Sequence, residues 1–301
     1  MFVAELDFLR VDVFTRELYM GNPATVVFDA DGLDEVLMQR IAHEAGSPVT
    51  SFVLRSRKAD VRMRFFSPHL EEPLSGHGII GALWCLAEQK TVGIGSRHRL
   101  ETQVGVLPFS VEGTAEGTEN VWMTQGRPLF SKEGDVKEVA SALGVGVESI
   151  FHDEFPLSRA STGLPFLIVS TRSMDVMEKL VPRQDEVTQL CKELDVAGVM
   201  AFTWSVLDSG STAHARCFLP SPGIVEDPAS GMASGALAAY LVENEFISRE
   251  RFGGIVIEQG HFIGRPSRVL ARIEKRGGVI RRVEVGGSGR VSLRGRVVVP
   301  P

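Results

Sequence analysis

The residues best suited to chemistry recur in two blocks half a chain apart. Residues 64–68 read Arg-Phe-Phe-Ser-Pro and 216–220 read Arg-Cys-Phe-Leu-Pro, both R-x-F-x-P. Shortly after each, 72–77 read Glu-Pro-Leu-Ser-Gly-His and 227–232 read Asp-Pro-Ala-Ser-Gly-Met, both acid-Pro-x-Ser-Gly-x. The offset is about 150 residues, and the small change in spacing falls in the connecting loop around 221–223. In this pattern a strand ends at the proline and a tight Ser-Gly turn enters a helix. The free N–H groups of that first turn carry positive partial charge. Two such starts, Ser75–Gly76 and Ser230–Gly231, facing one cleft would receive a small anion such as a carboxylate. His77 at a helix N-terminus should be neutral, either capping the turn or giving one hydrogen bond to a ligand. Asp227, near backbone N–H groups that favour its ionised form, is either a base or a cap. Its repeat partner Glu72 reads as structural. Asn22, in Gly21-Asn22-Pro23, is a turn residue or a ligand contact. Gln259 and Arg265 tie strands together or bind a carboxylate, and the first of these is favoured.

The elements that must carry these residues are mostly strands. Residues 60–66 put Val61, Met63 and Phe65 on one face, the period of a half-buried strand. Similar runs occupy 51–54, 165–170, 199–206, 254–260, 267–274 and 289–299. Helical spacing marks 33–45, 135–143 and 184–194, with Gly144 a stop for the second of these. Glu44 falls on the first, where a solvated carboxylate is the simpler reading. Residues 112–119, Gly-rich and polar, read as a hairpin tip.

The helices that follow the two blocks, 76–88 and 231–244, are apolar or small nearly all round. A helix apolar on every side is buried on every side. In a strand-rich chain the cover is a curved sheet, and the small residues let strands approach closely. The expected fold is therefore α+β: two pseudo-symmetric domains, each a curved mixed strand layer around one central helix. A polar break at 125–134 places them at 1–128 and 129–301, with the C-terminal strand near 291–301 packing back onto the first.

Composition narrows the function classes. The 301 residues are 44% hydrophobic with formal net charge −6. That is globular, with no electrostatic footprint for nucleic acid or an anionic membrane. Three cysteines, Cys85, Cys191 and Cys217, fit neither a disulfide framework nor a zinc site. Such thiols suit a reducing, cytoplasmic compartment. Glu5 and Asp7 break the apolar run that a signal peptide needs, and no 18-residue apolar run exists.

At this point the chain resembles the PhzF family of phenazine-biosynthesis-like isomerases, which share the diaminopimelate epimerase-like fold. The matching segments are 8–33 with Gly-Asn-Pro, 66–81 with Pro-x-Ser-Gly-His, 225–241 with Glu-Asp-Pro-x-Ser-Gly, and 258–269 with Gln-Gly-x(3)-Gly-Arg-Pro-Ser. The resemblance implies a cofactor-free, metal-free homodimeric isomerase that binds a small cyclic or amino-acid-like carboxylate between its two domains. A family Glu moves a proton between substrate carbons, helped by a His, an Asp and a Ser. Here the His and Asp positions are His77 and Asp227. The Glu position is Val49, in Pro48-Val49-Thr50-Ser51-Phe52, and the Ser position is Met232. Neither can carry a proton. The thiol pair of the related Cys-dependent racemases is missing, since no cysteine lies at a motif loop entrance. The expected catalytic pair is Asp227 and His77. The expected substrate-binding set is Asn22, Val49, Ser75, Gly76, Ser230, Gly231 and Met232. Three readings stand: an isomerase working with the remaining groups, a non-catalytic binder that kept the pocket and lost the chemistry, or an interaction protein whose cleft is vestigial.

Overall fold

A computed structural model describes residues 4–95, 97–114, 116–132, 134–221 and 224–300. The loop residues 222–223, where the sequence places the change in block spacing, lie outside it, as does residue 115 in the 112–119 hairpin tip. The chain divides into two units, 1–124 with 286–301, and 125–285. The sequence places the boundary four residues later, at 128/129.

The first unit begins β1 (Ala4–Val13), β2 (Asn22–Val27), α1 (Glu35–Ala45), β3 (Val49–Leu54), β4 (Val61–Phe66) and β5 (Glu71–Glu72). It continues with α2 (Gly76–Glu88), β6 (Arg97–Thr102), β7 (Gly105–Thr114) and β8 (Gly117–Thr124). The second unit begins β9 (Leu129–Lys132), α3 (Val136–Ala142), β10 (Ser158–Ser161), β11 (Pro165–Ser170), α4 (Met174–Lys179), α5 (Gln184–Glu193) and β12 (Val199–Thr203). It ends with β13 (Ala213–Ser221), β14 (Ile224–Asp227), α6 (Gly231–Glu243), β15 (Ile255–Gln259), β16 (Ser267–Arg276) and β17 (Val279–Gly287). The last strand, β18 (Gly289–Val299), pairs antiparallel with β1 and so belongs to the first unit.

Each unit has the same strand order. In the first, β18, β1, β2, β3, β4, β6, β7 and β8 follow one another, with β2–β3 and β4–β6 parallel and the other pairs antiparallel. In the second, β9, β10, β11, β12, β13, β15 and β16 repeat the first seven of these, with β11–β12 and β13–β15 parallel. The fold is mixed α+β.

In each unit one helix lies inside the strand layer. Helix α2 packs against β1, β2, β3, β8 and β18, and α6 against β10, β11, β12 and β16. All of α6 from Gly231 to Val242 is buried. Small residues are needed there: a Cβ on Gly81 would sit 2.8 Å from Val13 Cγ2 and 2.9 Å from Val11 Cγ1. The outer face of the strands is covered by α1 in the first unit, with Met38, Ile41, Phe52 and Phe66 in its core. In the second, the core between helix and strand runs through Val139, Leu190, Val199 and Phe218.

Two sequence expectations need correction. The break at 125–134 contains β9, which pairs with β10 and is too short to show a strand period. The 199–206 strand ends at Thr203, because the Glu258 carboxylate takes the N–H groups of Leu207 and Asp208 (2.5 and 3.1 Å) and draws the backbone out of the ladder. The strand before each Ser-Gly turn does end at the motif proline: β5 stops at Glu72 before Pro73 and β14 at Asp227 before Pro228.

Candidate functional site

The two blocks build the same local structure in each unit. In the first, Phe65 faces Glu72 and Phe66 faces Glu71 across β4–β5. In the second, Cys217 faces Asp227 and Phe218 faces Glu226 across β13–β14. The block arginines take the first acid of each pair. Arg64 Nε and Nη2 donate to Glu71 at 2.6 Å each. Arg216 donates to Glu226 from Nε (3.1 and 3.2 Å) and from Nη2 (2.7 Å), and from Nη1 to the carbonyls of Met177 and Leu180. Each guanidinium also lies over the motif phenylalanine, Phe66 or Phe218. Side chains alternate along a strand, so the second acid, Glu72 or Asp227, points to the opposite face from its paired neighbour. That explains why two acids precede each proline: one locks the hairpin and the other is delivered to the turn.

Each turn is then capped by its serine. Ser75 Oγ accepts from Gly78 N (3.4 Å) and Ser230 Oγ from Ala233 N (3.3 Å). Ser230 N is taken by Gln259 Oε1 (3.3 Å). The amides of Gly76, His77, Gly231 and Met232 have no acceptor among the described residues. Each helix start therefore offers two donors at the positive end of a helix dipole. Those two are fewer than an uncapped turn would present.

His77 is half-buried as a ring, but its Nε2 is enclosed and has no hydrogen-bond partner among the described residues. Its Nδ1 lies 3.5 Å from Ser75 Oγ. Burial lowers its pKa to about 4, so the ring is neutral at ordinary pH and offers one donor and one acceptor nitrogen.

Asn22 and Val49 lie on one inner face of the first unit. Val49 pairs with Ala24, two residues beyond Asn22, and Ala24 approaches Gly81 of α2. Ser51, on the same face of β3 as Val49, donates to the carbonyl of Gly78 in the first turn of α2 (3.1 Å). Both Asn22 and Val49 are fully buried. Gly21, at φ +68°, turns the chain into β2, and a Cβ there would collide with the Val13 carbonyl. Glu44 lies on the exposed face of α1, as a solvated carboxylate should.

In the second unit Gln259 is a tie. Besides Ser230 N it holds the Asp227 carbonyl with its Nε2 (2.6 Å). Gly260, at φ +81°, leaves no space for a Cβ beside the Pro228 and Arg265 carbonyls. Arg265 is half-buried and has a partner. The thiol of Cys217 lies beneath this turn. Burial pushes it well above the usual range, with Asp227 and Glu226 adding to the rise, so it is no nucleophile. Cys85 and Cys191 are raised to about 12 and about 11 by burial.

The sequence reading missed Gln125, which is buried on the same turn. Its Nε2 lies 3.0 Å from the Gly231 carbonyl and 3.5 Å from Met232 Sδ, and its Oε1 accepts from Thr162 Oγ1 at 2.7 Å. It lies in the segment read as a linker. The one available signal was a glutamine directly before Gly126, at the end of the apolar run 121–123.

A family model described as "Phenazine biosynthesis-like protein" matches residues 11–295. "Uncharacterized isomerase YfhB" of Bacillus subtilis is 33% identical over 279 residues, covering 92% of this chain and 94% of its own. Trans-2,3-dihydro-3-hydroxyanthranilate isomerase of Pseudomonas chlororaphis is 34% identical over 296 residues, covering 97% and 99%. The crystal structure of a Bacillus anthracis phenazine biosynthesis protein of the PhzF family superposes with TM-score 0.89 at 31% identity, covering 98% of this chain and 100% of that one. A hydroxyproline epimerase from Agrobacterium vitis, 13% identical, shares the fold at TM-score 0.66, over 99% of this chain and 92% of its own.

Proposed function

The chain belongs to the phenazine biosynthesis-like (PhzF) isomerase family, and from that premise we propose that it is a cofactor-independent isomerase moving a proton on a small cyclic or amino-acid-like carboxylate. On this reading Asp227 is the base that takes the proton, and neutral His77 gives or receives a hydrogen bond at the reacting part of the substrate. Free amides at a helix start accept the ligand's negative charge. The observation that carries the reading is His77: an enclosed imidazole nitrogen at the start of a buried helix, with no hydrogen-bond partner among the described residues and a pKa lowered by burial. Burying a polar atom without a partner is costly unless a ligand uses it.

A second reading has its own support. The position matched to the family's proton-carrying Glu is Val49, fully buried, and Glu44, five residues earlier, faces solvent. Losing a general base typically costs about 10²–10⁴-fold in rate. A binder that kept the helix starts and lost the chemistry would look the same.

Solvent deuterium exchange into trans-2,3-dihydro-3-hydroxyanthranilate, followed by NMR, separates the two. Exchange by the wild type that Asp227→Asn abolishes supports the isomerase. Exchange only by Val49→Glu supports the degenerate binder, because a carboxylate in that apolar place would have the raised pKa a proton carrier needs. Wild-type exchange that survives Asp227→Asn removes Asp227 from the mechanism. No exchange by either protein, with no binding by calorimetry, removes this substrate class.

A further inference from the structure

We propose that Gln125 is a positioning residue that holds the first turn of α6 in its anion-accepting shape, with Thr162 acting through it. The proposal rests on reading that turn as a ligand-binding element, but the hold itself is measurable with no ligand present.

The hydrogen bonds fix the amide's orientation without ambiguity. The Gly231 carbonyl can only accept, so the nitrogen of Gln125 must face it. The Thr162 hydroxyl then donates to the oxygen. Gln125 itself is anchored, since its backbone N–H donates to the Val283 carbonyl at 2.9 Å and Gly126 N donates to the Thr162 carbonyl at 2.7 Å. One buried amide thus ties two strands to the residue whose N–H is one of the two unpartnered donors of the turn. The same nitrogen reaches Met232 Sδ, which fixes the side chain standing where the family has a serine. A Cβ on Gly163 would sit 3.3 Å from Met232 Cε, so the thioether is held from both sides.

Gly235 is a second sign of the arrangement. It lies one turn along α6, and a Cβ there would overlap the Gln125 carboxamide oxygen. The glycine therefore makes room for this glutamine, in a helix interior where glycine costs roughly 0.5–1 kcal/mol relative to alanine. Gln259 grips the other end of the loop, at Asp227 and Ser230. The loop bearing the candidate base is thus clamped by two buried amides from distant parts of the sequence, and only Gln125 touches the helix turn itself.

The test uses the full chain with methyl-labelled methionine, the Met232 signal being assigned by its loss in Met232→Leu. Gln125→Met keeps the volume and removes the donors. Gly235→Ala displaces the amide, and Thr162→Val removes only the orienting hydroxyl. All three are expected to shift the Met232 methyl signal and to speed amide exchange at Ala233 and Ser234, whose N–H groups are held by Ser230 (3.3 and 2.9 Å), by about tenfold or more, as local opening replaces a held turn. Gly254→Ala, where a Cβ meets nothing within 4 Å, is the control expected to change neither. Anthranilate is the ligand probe, and its Kd by calorimetry is expected to rise about tenfold in Gln125→Met. Unchanged exchange at Ala233 and Ser234 in Gln125→Met and Gly235→Ala would overturn the proposal. Faster exchange with an unaltered anthranilate Kd would reduce Gln125 to a structural tie and overturn its positioning role. A wild type that fails to bind anthranilate counts against the carboxylate reading of the site, while the exchange and methyl data still decide whether Gln125 holds the turn.

Discussion

A histidine at a helix N-terminus is expected to be neutral from the sequence alone, but how far its pKa falls depends on burial that no motif encodes. His77 titrates at about 4 in the folded chain against an ordinary 6.5. Between those values the unfolded chain binds the proton that the folded chain refuses, so stability rises with pH across that window. Stability is complete above pH 6.5 and falls toward pH 4, by up to about 3 kcal/mol from this one group. Urea unfolding of wild type and His77→Gln from pH 4.5 to 7.5 should show a gap that changes steadily below pH 6.5, with the variant the flatter of the two. Parallel curves would place His77 in solvent. Val49 and Met232 stand where the resemblance implies proton carriers, and that assignment rests on the motif alone. Gln125 was not legible, because a buried amide is set by partners at 162 and 231, and neither lies near it in sequence.

At the scale of elements, the two block hairpins share a design but differ in depth. Arg216 and Glu226 have side chains 8% and 5% exposed, against 17% and 14% for Arg64 and Glu71, and Arg64 has Glu35 as a further partner. Removing one partner of a buried pair leaves an uncompensated charge and costs about 3–5 kcal/mol, far more than at a surface. Glu226→Gln is therefore expected to lose about 3 kcal/mol in urea unfolding and Glu71→Gln clearly less. Equal losses would mean that Glu35 gives Arg64 no relief. The pairing was only half visible beforehand. The arginine and the second acid stood in the repeated pattern, but the first acid did not, and the strand alternation that assigns it to the arginine needed the observed register. The two buried helices were read at their true positions because their composition excludes a solvent face. Strands whose ends are set by a side chain from elsewhere, as Glu258 sets the end of β12, were not.

At the scale of the molecule, duplication was the most legible feature, since a repeated block needs no structural knowledge to see. The strand order of each unit follows it, including the parallel pairs at the same two places. The return of the C-terminus to the first unit has consequences that can be measured. Strand β18 pairs with β1 from Ala4↔Val299 to Val13↔Gly289, and β2 takes the other edge of β1. The Trp84 ring of α2 lies so close to Gly289 that a Cβ there would sit 3.0 Å from it, and Phe8 approaches Gly295 in the same way. A chain ending after Ser288 would leave β1 as an unpaired edge and uncover Trp84 and Phe8, opening the first unit to water. Hydrogen exchange by mass spectrometry should then show protection lost from peptides covering 4–13, 22–27 and 76–88, and kept in those covering 231–243 and 255–276. Loss in every peptide would show that the units fold as one cooperative body. Protection kept throughout would show that β18 is dispensable, and that the first unit closes its strand layer without the chain's last segment.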